Sequence, residues 1–374
     1  MSKDKKLLLV GNTAWSMYNF RLGVASFLKN DGYNVTIAAP PDHTTELIRD
    51  AGFKIIDIEI DNKGVSVLND LRLLAELLKL YRRIKPDVVV HYTIKPNIYG
   101  TIAAKIAGIT SIAFVTGLGS MFIKRTLITR VIERMYQFSF LFPEKVWFLN
   151  EDDYRYFVDK GLVSRAKAEI LPGEGVNTVK FNSDSYQKEI NPTSFKFLYL
   201  GRILKDKGII EIIEAARKIK AERPETKIQF LGFIDALNPS AISKEDVDSW
   251  VKEGIIDYLG QTNDVIPYLS NADCVLLPSY REGISMTLLE AASMQKPIIA
   301  SNVTGCKEVV NDGITGYLCQ PRDSSDLYAQ MKKILQLNQE QIKEMGIAAR
   351  KKILNEFDEK LVINKYSATL KKIV

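Results

Sequence analysis

The strongest constraint in this chain is a rhythm. Short apolar runs alternate with longer stretches of helical periodicity along the whole sequence. The runs at 6–10, 33–38, 53–58, 88–91, 112–115 and 145–149 are strand candidates, and helical segments separate most of them, beginning at 18–29. Such alternation builds βαβ units, and βαβ units build a parallel sheet. The longest helical pattern covers 66–84. There Leu71, Leu74, Leu78 and Tyr81 recur at spacings of three and four and define an apolar face. Pro86 then forces a stop.

The rhythm breaks once. Residues 182–194 are polar and turn-rich, which marks a linker. Strand candidates resume at 195–200, 227–231, 255–259, 274–277 and 297–300. Helical stretches at 323–335, 338–355 and 358–373 close the chain. A length of 374 residues suits two domains, placed at 1–183 and 184–357. With 46% apolar and 26% charged residues, each half can bury its own core. The expected fold class is α/β, with two parallel-sheet domains whose ligands bind outside the carboxyl ends of the strands.

The remaining composition narrows the function. A net charge of +6 is mild; it suits an anionic membrane surface, a phosphorylated substrate or nucleic acid alike. No basic–aromatic platform stands out, so nucleic acid is the least supported partner. Cys274, Cys306 and Cys319 form no CxxC pair. With His43 and His91 the only histidines, no disulfide framework or zinc site is expected, and the compartment is reducing. The apolar run at 7–10 is too short for a signal-peptide core, and no run approaches about 18 apolar residues. Any membrane contact is therefore expected to be peripheral.

Two segments carry chemistry. The first runs from Pro278 to Glu290, after a buried strand candidate. Gly283 permits a tight turn, Ser285 is a helix N-cap candidate, and the helix should continue to about 294. Its start, around Ile284, Ser285, Met286 and Thr287, presents free N–H groups and a positive dipole end suited to a diphosphate. Glu290 follows about five residues in, roughly 7.5 Å along the axis. One ligand could thus place its phosphates on the helix start and its ribose on Glu290, with Glu282 reaching a sugar beyond the phosphates. The same spacing also suits two surface carboxylates. The second segment runs from Gly201 to Gly208 and holds Arg202 and Lys207 at a strand's carboxyl end, where two cations can neutralise a leaving diphosphate. Taken alone it is equally a solvated basic turn.

Together these pieces resemble the retaining glycosyltransferases of family 4. The Glu-x7-Glu pattern falls on Glu282 and Glu290, and the Arg-x4-Lys-Gly pattern on Arg202, Lys207 and Gly208. Gly173 to Asn177, with Phe181, is similar to the segment that ends the N-terminal domain in that family. The resemblance implies a GT-B architecture: two Rossmann-like domains across a cleft, with a last helix at about 358–374 returning to the first. It implies that Arg202 and Lys207 hold the donor diphosphate, Glu290 the ribose and Glu282 the transferred sugar. It also implies retention of configuration and no need for a metal or other cofactor. The loop containing Gly260 and Val265 lies where the family grips the base; it is equally an ordinary turn capped by Asn263 or Asp264.

In the N-terminal half, Gly11, Asn12 and Thr13 follow the first strand. In the family this loop borders the donor diphosphate (Gly11, Asn12) and the acceptor (Thr13). Arg21 faces either the cleft or, as an exposed helix arginine, the solvent. Thr93, Lys95, Asn97, Gly117 and Gly119 follow the fourth and fifth strand candidates and are the acceptor-binding candidates. Lys95 is a diphosphate contact or simply a lysine at a helix start. Some relatives carry a histidine where this chain has Ile94. The Lys95-Pro96-Asn97 and Gly117-Leu118-Gly119 segments resemble a subgroup that assembles bacterial surface polysaccharides and glycan precursors on undecaprenyl diphosphate. Residues 121–142 combine an apolar stripe (Leu127, Ile128, Val131, Ile132, Met135) and Phe138, Phe140 and Phe142 with the cations Lys124, Arg125, Arg130 and Arg134. That pattern suits a helix lying on anionic lipid, or one packing its stripe on the sheet. The expected activity is transfer of a hexose or N-acetylhexosamine from a UDP-sugar to a lipid-linked saccharide, at the cytoplasmic face of the inner membrane. The rivals are a nucleotide-sugar epimerase or hydrolase on the same scaffold and a non-catalytic polysaccharide-assembly partner.

Overall fold

The computed structural model describes residues 5–61, 66–118, 122, 126–186, 194–236 and 238–373. They form two compact units. One comprises 1–175 with 359–374, the other 176–358.

The first unit is a seven-stranded parallel sheet in the order β3-β2-β1-β4-β5-β6-β7. Its strands are β1 (Lys5–Val10), β2 (Tyr33–Ala39), β3 (Lys54–Asp57), β4 (Val88–Tyr92), β5 (Thr110–Val115), β6 (Lys145–Phe148) and β7 (Ala168–Ile170). Helices α1 (Ala14–Asn30), α2 (Thr45–Asp50), α3 (Val67–Ile84), α4 (Thr101–Ala107), α5 (Leu127–Ser139) and α6 (Glu151–Asp159) connect them. The central strands are apolar throughout because both sheet faces are covered; Leu8, Leu9, Val10, Val89 and Val90 have no exposed surface. Helix α1 starts ahead of the expected 18 because the Thr13 hydroxyl caps it, accepting from Ser16 N at 3.1 Å.

Helix α3 corrects the expected apolar face. It buries Leu73, Leu77, Leu80 and Tyr81, while Leu71 is 54% exposed and Leu74 and Leu78 pack only at the margin. Leucines nearly encircle this helix, so spacing alone leaves the inward direction a residue or two uncertain. Beyond α3, Lys85 takes a left-handed φ of 51° before Pro86.

The second unit is a six-stranded parallel sheet in the order β10-β9-β8-β11-β12-β13. It contains β8 (Lys196–Leu200), β9 (Lys227–Leu231), β10 (Asp257–Tyr258), β11 (Cys274–Leu277), β12 (Ile298–Ser301) and β13 (Gly316–Cys319). Its helices are α7 (Ile209–Glu222), α8 (Lys244–Lys252), α9 (Ile266–Asn271), α10 (Met286–Ser293), α11 (Ser324–Leu335) and α12 (Gln339–Glu356). The two strands absent from the sequence expectation, β7 and β13, are short edge strands that are only partly buried.

The final helix, α13 (Glu359–Ile373), belongs to the first unit. Tyr366 fixes it there, with its hydroxyl 2.9 Å from that of Tyr92 and its ring centroid 4.6 Å from that of Trp147. The chain changes unit at 175/176, ahead of the polar stretch expected to divide the domains. The reason is local. Val176 N donates to Phe357 O at 2.9 Å, Thr178 Oγ1 donates to Asp358, and Arg350 donates to the Phe181 and Thr178 carbonyls. These bonds tie 176–181 to the second unit before the polar stretch begins.

Candidate functional site

In the second unit β8 is the topological switch point. The chain leaves it towards β9 on one side and later returns to β11 on the other. In open parallel sheets ligands bind outside the carboxyl ends of the two strands at such a point. Here those ends carry the 201–208 loop after β8 and the 278–285 loop after β11. Close backbone packing joins them. Gly208 has φ 77°, and a Cβ there would lie 2.2 Å from Pro278 O. Tyr280 N donates to Asp206 O at 2.9 Å.

The junction brings Lys207 and Glu282 together. Lys207 Nζ lies 2.5 Å from Glu282 Oε1, with side chains 17% and 14% exposed. Arg202 stands beside them, 47% exposed and 3.8 Å from Asp235. Glu282 is braced from the loop after β12: its N–H donates to Thr304 O at 3.0 Å, and a Cβ on Gly305 would fall 2.5 Å from Glu282 Cβ. Thr304 and Gly305 were not among the candidates; the available signal was a glycine shortly beyond a strand's carboxyl end.

Gly283 and Ile284 lead from Glu282 to α10. Ser285 caps that helix, its Oγ accepting from Leu288 N at 3.4 Å. Thr287 Oγ1 donates to Leu200 O at 3.3 Å, which fastens the first turn, with Met286, to the end of β8. Glu290 follows on the same helix. Burial pushes its carboxyl up to about 7, with the Lys180 ammonium pulling the other way. The loop after β10 also joins this edge, as Gly260 O accepts from Gly232 N at 2.7 Å. Val265 stands at the start of α9, where Asp264, not Asn263, receives Ile266 N at 3.1 Å.

One crevice edge therefore collects two cations, a helix start and two carboxylates. Cations and helix N–H groups stabilise phosphate charge, and carboxylates accept from sugar hydroxyls. The three cysteines are all buried and free, and burial raises their thiols, so none is a ready thiolate.

The first unit has the same kind of switch at β1, between β2 and β4. Its polar loop residues are mostly spoken for. Gly11 is packed against Met17, with room for no Cβ. Asn12 accepts from Ser16 Oγ at 3.5 Å, and the Thr13 hydroxyl is the α1 cap. Lys95 is held by Asp70 at 2.6 Å, both side chains largely covered, and Tyr99 donates to the same carboxylate at 2.8 Å. Asn97 needs correction as an acceptor candidate. It has no exposed surface, and its amide is consumed by Phe114, donating to O at 2.9 Å and accepting from N at 3.1 Å. Arg21 is not solvent-facing, although its Nε and Nη1 have no hydrogen-bond partner among the described residues. It is buried, paired with Glu174 Oε1 at 2.5 Å, and its guanidinium lies 4.5 Å from the Tyr92 ring centroid. His91 is also structural: fully buried against Tyr81 Oη at 2.8 Å, its imidazole is held neutral by burial, at about 3. Gly117 takes a φ of 118° after β5; Gly119 lies outside the described residues.

Thr93 is different. It is β-branched yet has φ 70°, and its buried hydroxyl has no hydrogen-bond partner. In proteins generally, strained backbone of this kind clusters at functional sites.

Helix α5 faces two ways. Tyr136, Thr129 and Ser139 point inward, and Ile132 and Met135 pack against the core beneath. Leu127, Ile128, Val131 and Phe138 are exposed. Lys124 and Arg125 lie outside the described residues. Among the described residues no helix is long and apolar enough to cross a membrane.

Comparison with known proteins bears on the fold and the activity of both halves. The model of Glycosyl transferases group 1 matches residues 181–352, and that of Glycosyl transferase 4-like matches 6–150. The chain is 28% identical, over 94% of both chains, to the N,N'-diacetylbacillosaminyl-diphospho-undecaprenol alpha-1,3-N-acetylgalactosaminyltransferase of Campylobacter jejuni. It is 26% identical to the UDP-Gal:alpha-D-GlcNAc-diphosphoundecaprenol alpha-1,3-galactosyltransferase of Escherichia coli, covering 79% of this chain and 78% of that one. In fold it is similar to a Rickettsia africae glycosyltransferase, with TM-score 0.81, 19% identity and 99% of both chains covered. It is likewise similar to Anabaena HepE in complex with UDP and glucose, with TM-score 0.80, 17% identity and coverage of 98% and 100%. Both halves are thus matched by glycosyltransferase models, and the chain is a hexosyltransferase of GT-B fold.

Proposed function

We propose that this chain transfers a hexose or N-acetylhexosamine from a UDP-sugar to a hydroxyl of a polyprenyl-diphosphate-linked saccharide, with retention of configuration, in the assembly of a bacterial surface polysaccharide or glycan. The observation that carries the donor half is the Lys207–Glu282 pair at the switch point of the second sheet, beside Arg202 and the start of α10. On donor entry Lys207 turns from Glu282 to the diphosphate, Arg202 adds its fork, and the first N–H groups of α10 complete the anion site. Glu290 accepts from the ribose hydroxyls. Gly260 and Val265 border the base, and Glu282, released by Lys207, contacts the transferred sugar. These fixed charges stabilise the leaving diphosphate, the role a bound metal plays elsewhere. No metal cofactor is therefore required, and turnover should survive EDTA. No side chain is assigned as nucleophile; a donor phosphate oxygen takes the acceptor proton in a front-face displacement. The acceptor half rests on Thr93 and the Gly117 turn, with Lys95 contributing only if Asp70 releases it.

The relatives named above act on undecaprenol-linked substrates, and on that ground we assign the chain to the cytoplasmic face of the membrane, held peripherally by the exposed side of α5. The deciding experiment incubates the purified chain with a panel of UDP-sugars and synthetic polyprenyl-diphosphate sugars, followed by mass and linkage analysis. A disaccharide product with an α linkage is expected. Free sugar or an epimer, formed without acceptor, would replace this reading with hydrolysis or epimerisation.

A further inference from the structure

Lys207 and Glu282 stand on different loops, and one residue grips both. Tyr280 lies just before Glu282 in the loop after β11. Its N–H donates to the carbonyl of Asp206, the residue before Lys207, at 2.9 Å. Its hydroxyl donates to Oε1 of Glu211, just beyond Lys207 in the first turn of α7, at 2.7 Å. Tyr280 therefore brackets the Lys207 turn from both sides, while its own chain leads on to Glu282.

The bracket is built from groups that packing alone would not select. Glu211 is buried, and among the described residues the Tyr280 hydroxyl is the one hydrogen-bond donor to its carboxylate; Oε2 has no partner. Two apolar side chains of similar shape would hold α7 to this loop about as well, without an unsatisfied oxygen. Burial and the Glu211 carboxylate raise the Tyr280 hydroxyl above its usual range, so it remains a donor. Arg322, in the loop after β13, covers the ring, with its guanidinium carbon 4.6 Å from the centroid. It does so from a left-handed backbone at φ 63°, a conformation that favours glycine. An under-bonded buried carboxylate and a strained arginine thus converge on one tyrosine, beside the two loops that carry the donor charges.

We propose that Tyr280, held by Glu211 and Arg322, is a positioning residue for sugar transfer: it fixes where Glu282 stands relative to Lys207, and so how the transferred sugar lies over the diphosphate. The inference rests on the donor reading above and deepens it. Tyr280 acts through Glu282 and Lys207. A displacement of about 1 Å at a reacting centre can cost about a hundred-fold in rate. The attraction between fixed charges and a diphosphate changes far less over that distance. The turnover rate should therefore feel the loss of Tyr280 more than UDP affinity does.

The test compares Tyr280→Phe, Tyr280→Phe with Glu211→Leu, and Arg322→Gly in the full chain. Gly208 still packs on Pro278 in all three, which keeps the loops joined. Transfer is followed with the UDP-sugar and polyprenyl-diphosphate sugar that give product in the panel above, UDP affinity by calorimetry, and stability by thermal melting. Tyr280→Phe should lower kcat about ten-fold or more, with UDP affinity within about three-fold of wild type and acceptor KM unchanged. Adding Glu211→Leu should restore the melting temperature but not kcat. Arg322→Gly should lower kcat about three-fold or more without lowering the melting temperature, because glycine relieves the backbone. Wild-type kcat in Tyr280→Phe or in Arg322→Gly would overturn the proposal. So would recovery of kcat together with stability in the double variant, which would leave Tyr280 a purely structural role. Loss of UDP affinity in parallel with kcat would also overturn it, by showing a damaged anion site. If Tyr280→Phe alone does not fold, the double variant decides. A wild type that forms no product from any UDP-sugar would instead sink the transfer reading, and this inference with it.

Discussion

Replacing Glu282 with Gln should move donor binding and sugar transfer in opposite directions. In the ligand-free chain Glu282 holds Lys207 at 2.5 Å, with the two side chains 14% and 17% exposed. A diphosphate must draw the ammonium away from that carboxylate, so part of its binding energy is spent on breaking the pair. Exposed pairs contribute up to about 1 kcal/mol, and breaking buried ones costs about 3–5. This pair is largely covered but still touches solvent, so it lies between the two cases; at least about 1 kcal/mol should be returned to the ligand, or roughly five-fold or more tighter binding of UDP. Removing a negative charge beside the phosphates acts in the same direction. Transfer should instead fall, because a charge-assisted bond to the sugar is lost. At about 1.5–3 kcal/mol, that lowers kcat/KM roughly ten- to a hundred-fold. Lys207→Ala should weaken UDP and transfer together. The assays are calorimetry with UDP and initial rates with the UDP-sugar. The reasoning is refuted if Glu282→Gln weakens UDP, because Lys207 would then be held in place for the donor by Glu282, not withheld from it.

Glu290 sets a pH dependence. Its carboxyl, raised to about 7 from an ordinary 4.5, binds its proton more tightly folded than unfolded, so it destabilises the fold above about 7 and not below about 4.5. Glu290→Gln should therefore raise the melting temperature at pH 8 and change it little at pH 4.5. UDP affinity should rise with pH through about 7 in the wild type and lose that rise in the variant. Arg21→Met leaves Glu174 buried and unpaired, and should cost about 3–5 kcal/mol in urea denaturation; adding Glu174→Leu should recover much of it. Thr93→Gly should relieve a backbone cost of about 1–3 kcal/mol at φ 70° and raise the melting temperature, while the acceptor KM climbs because the hydroxyl is gone. A variant that gains stability with an unchanged acceptor KM would remove Thr93 from the acceptor site.

What the sequence made legible follows from how each residue is held. The β-strand rhythm was clear because central parallel strands are apolar along their whole length, as at Leu7–Val10. Edge strand β7 carries a glutamate among three residues, and β13 opens on a glycine with its middle residues only partly buried, so neither reads as a buried apolar run. The inward face of α3 was ambiguous because leucines lie on several sides of it. Lys207 and Glu282 could be brought into one donor site through the family resemblance, each lying just beyond a strand and beside a glycine, but nothing in the spacing foretold their ion pair. Arg21 and Asn97 could not be placed, because their partners Glu174 and Phe114 are 153 and 17 residues away. Nothing local distinguishes a buried, ion-paired arginine or a buried, hydrogen-bonded asparagine from a ligand-binding one. Gly305 carried only a generic turn signal, although it is the backing that aims Glu282.

The two sheets share one topological device, yet only one of their crevices could be understood residue by residue. The difference lies in what the loops do with their polar groups. In the second unit the chain leaves opposite charges facing each other across a junction made by backbone packing at Gly208 and Gly305, so the charges are separable by a ligand. In the first unit the equivalent loops use theirs internally: Thr13 on a helix cap, Lys95 on Asp70, Asn97 on the end of β5. A crevice so satisfied cannot bind through a strong ion pair of its own without losing one already formed. It is left with backbone turns, the strained Thr93 hydroxyl and whatever grip the lipid carrier has elsewhere on the unit. Weak polar contact with the acceptor sugar is then compatible with tight acceptor binding only if the diphosphate and the prenyl chain supply the affinity. On that argument the carrier supplies most of the affinity and the Thr93 turn chooses the sugar.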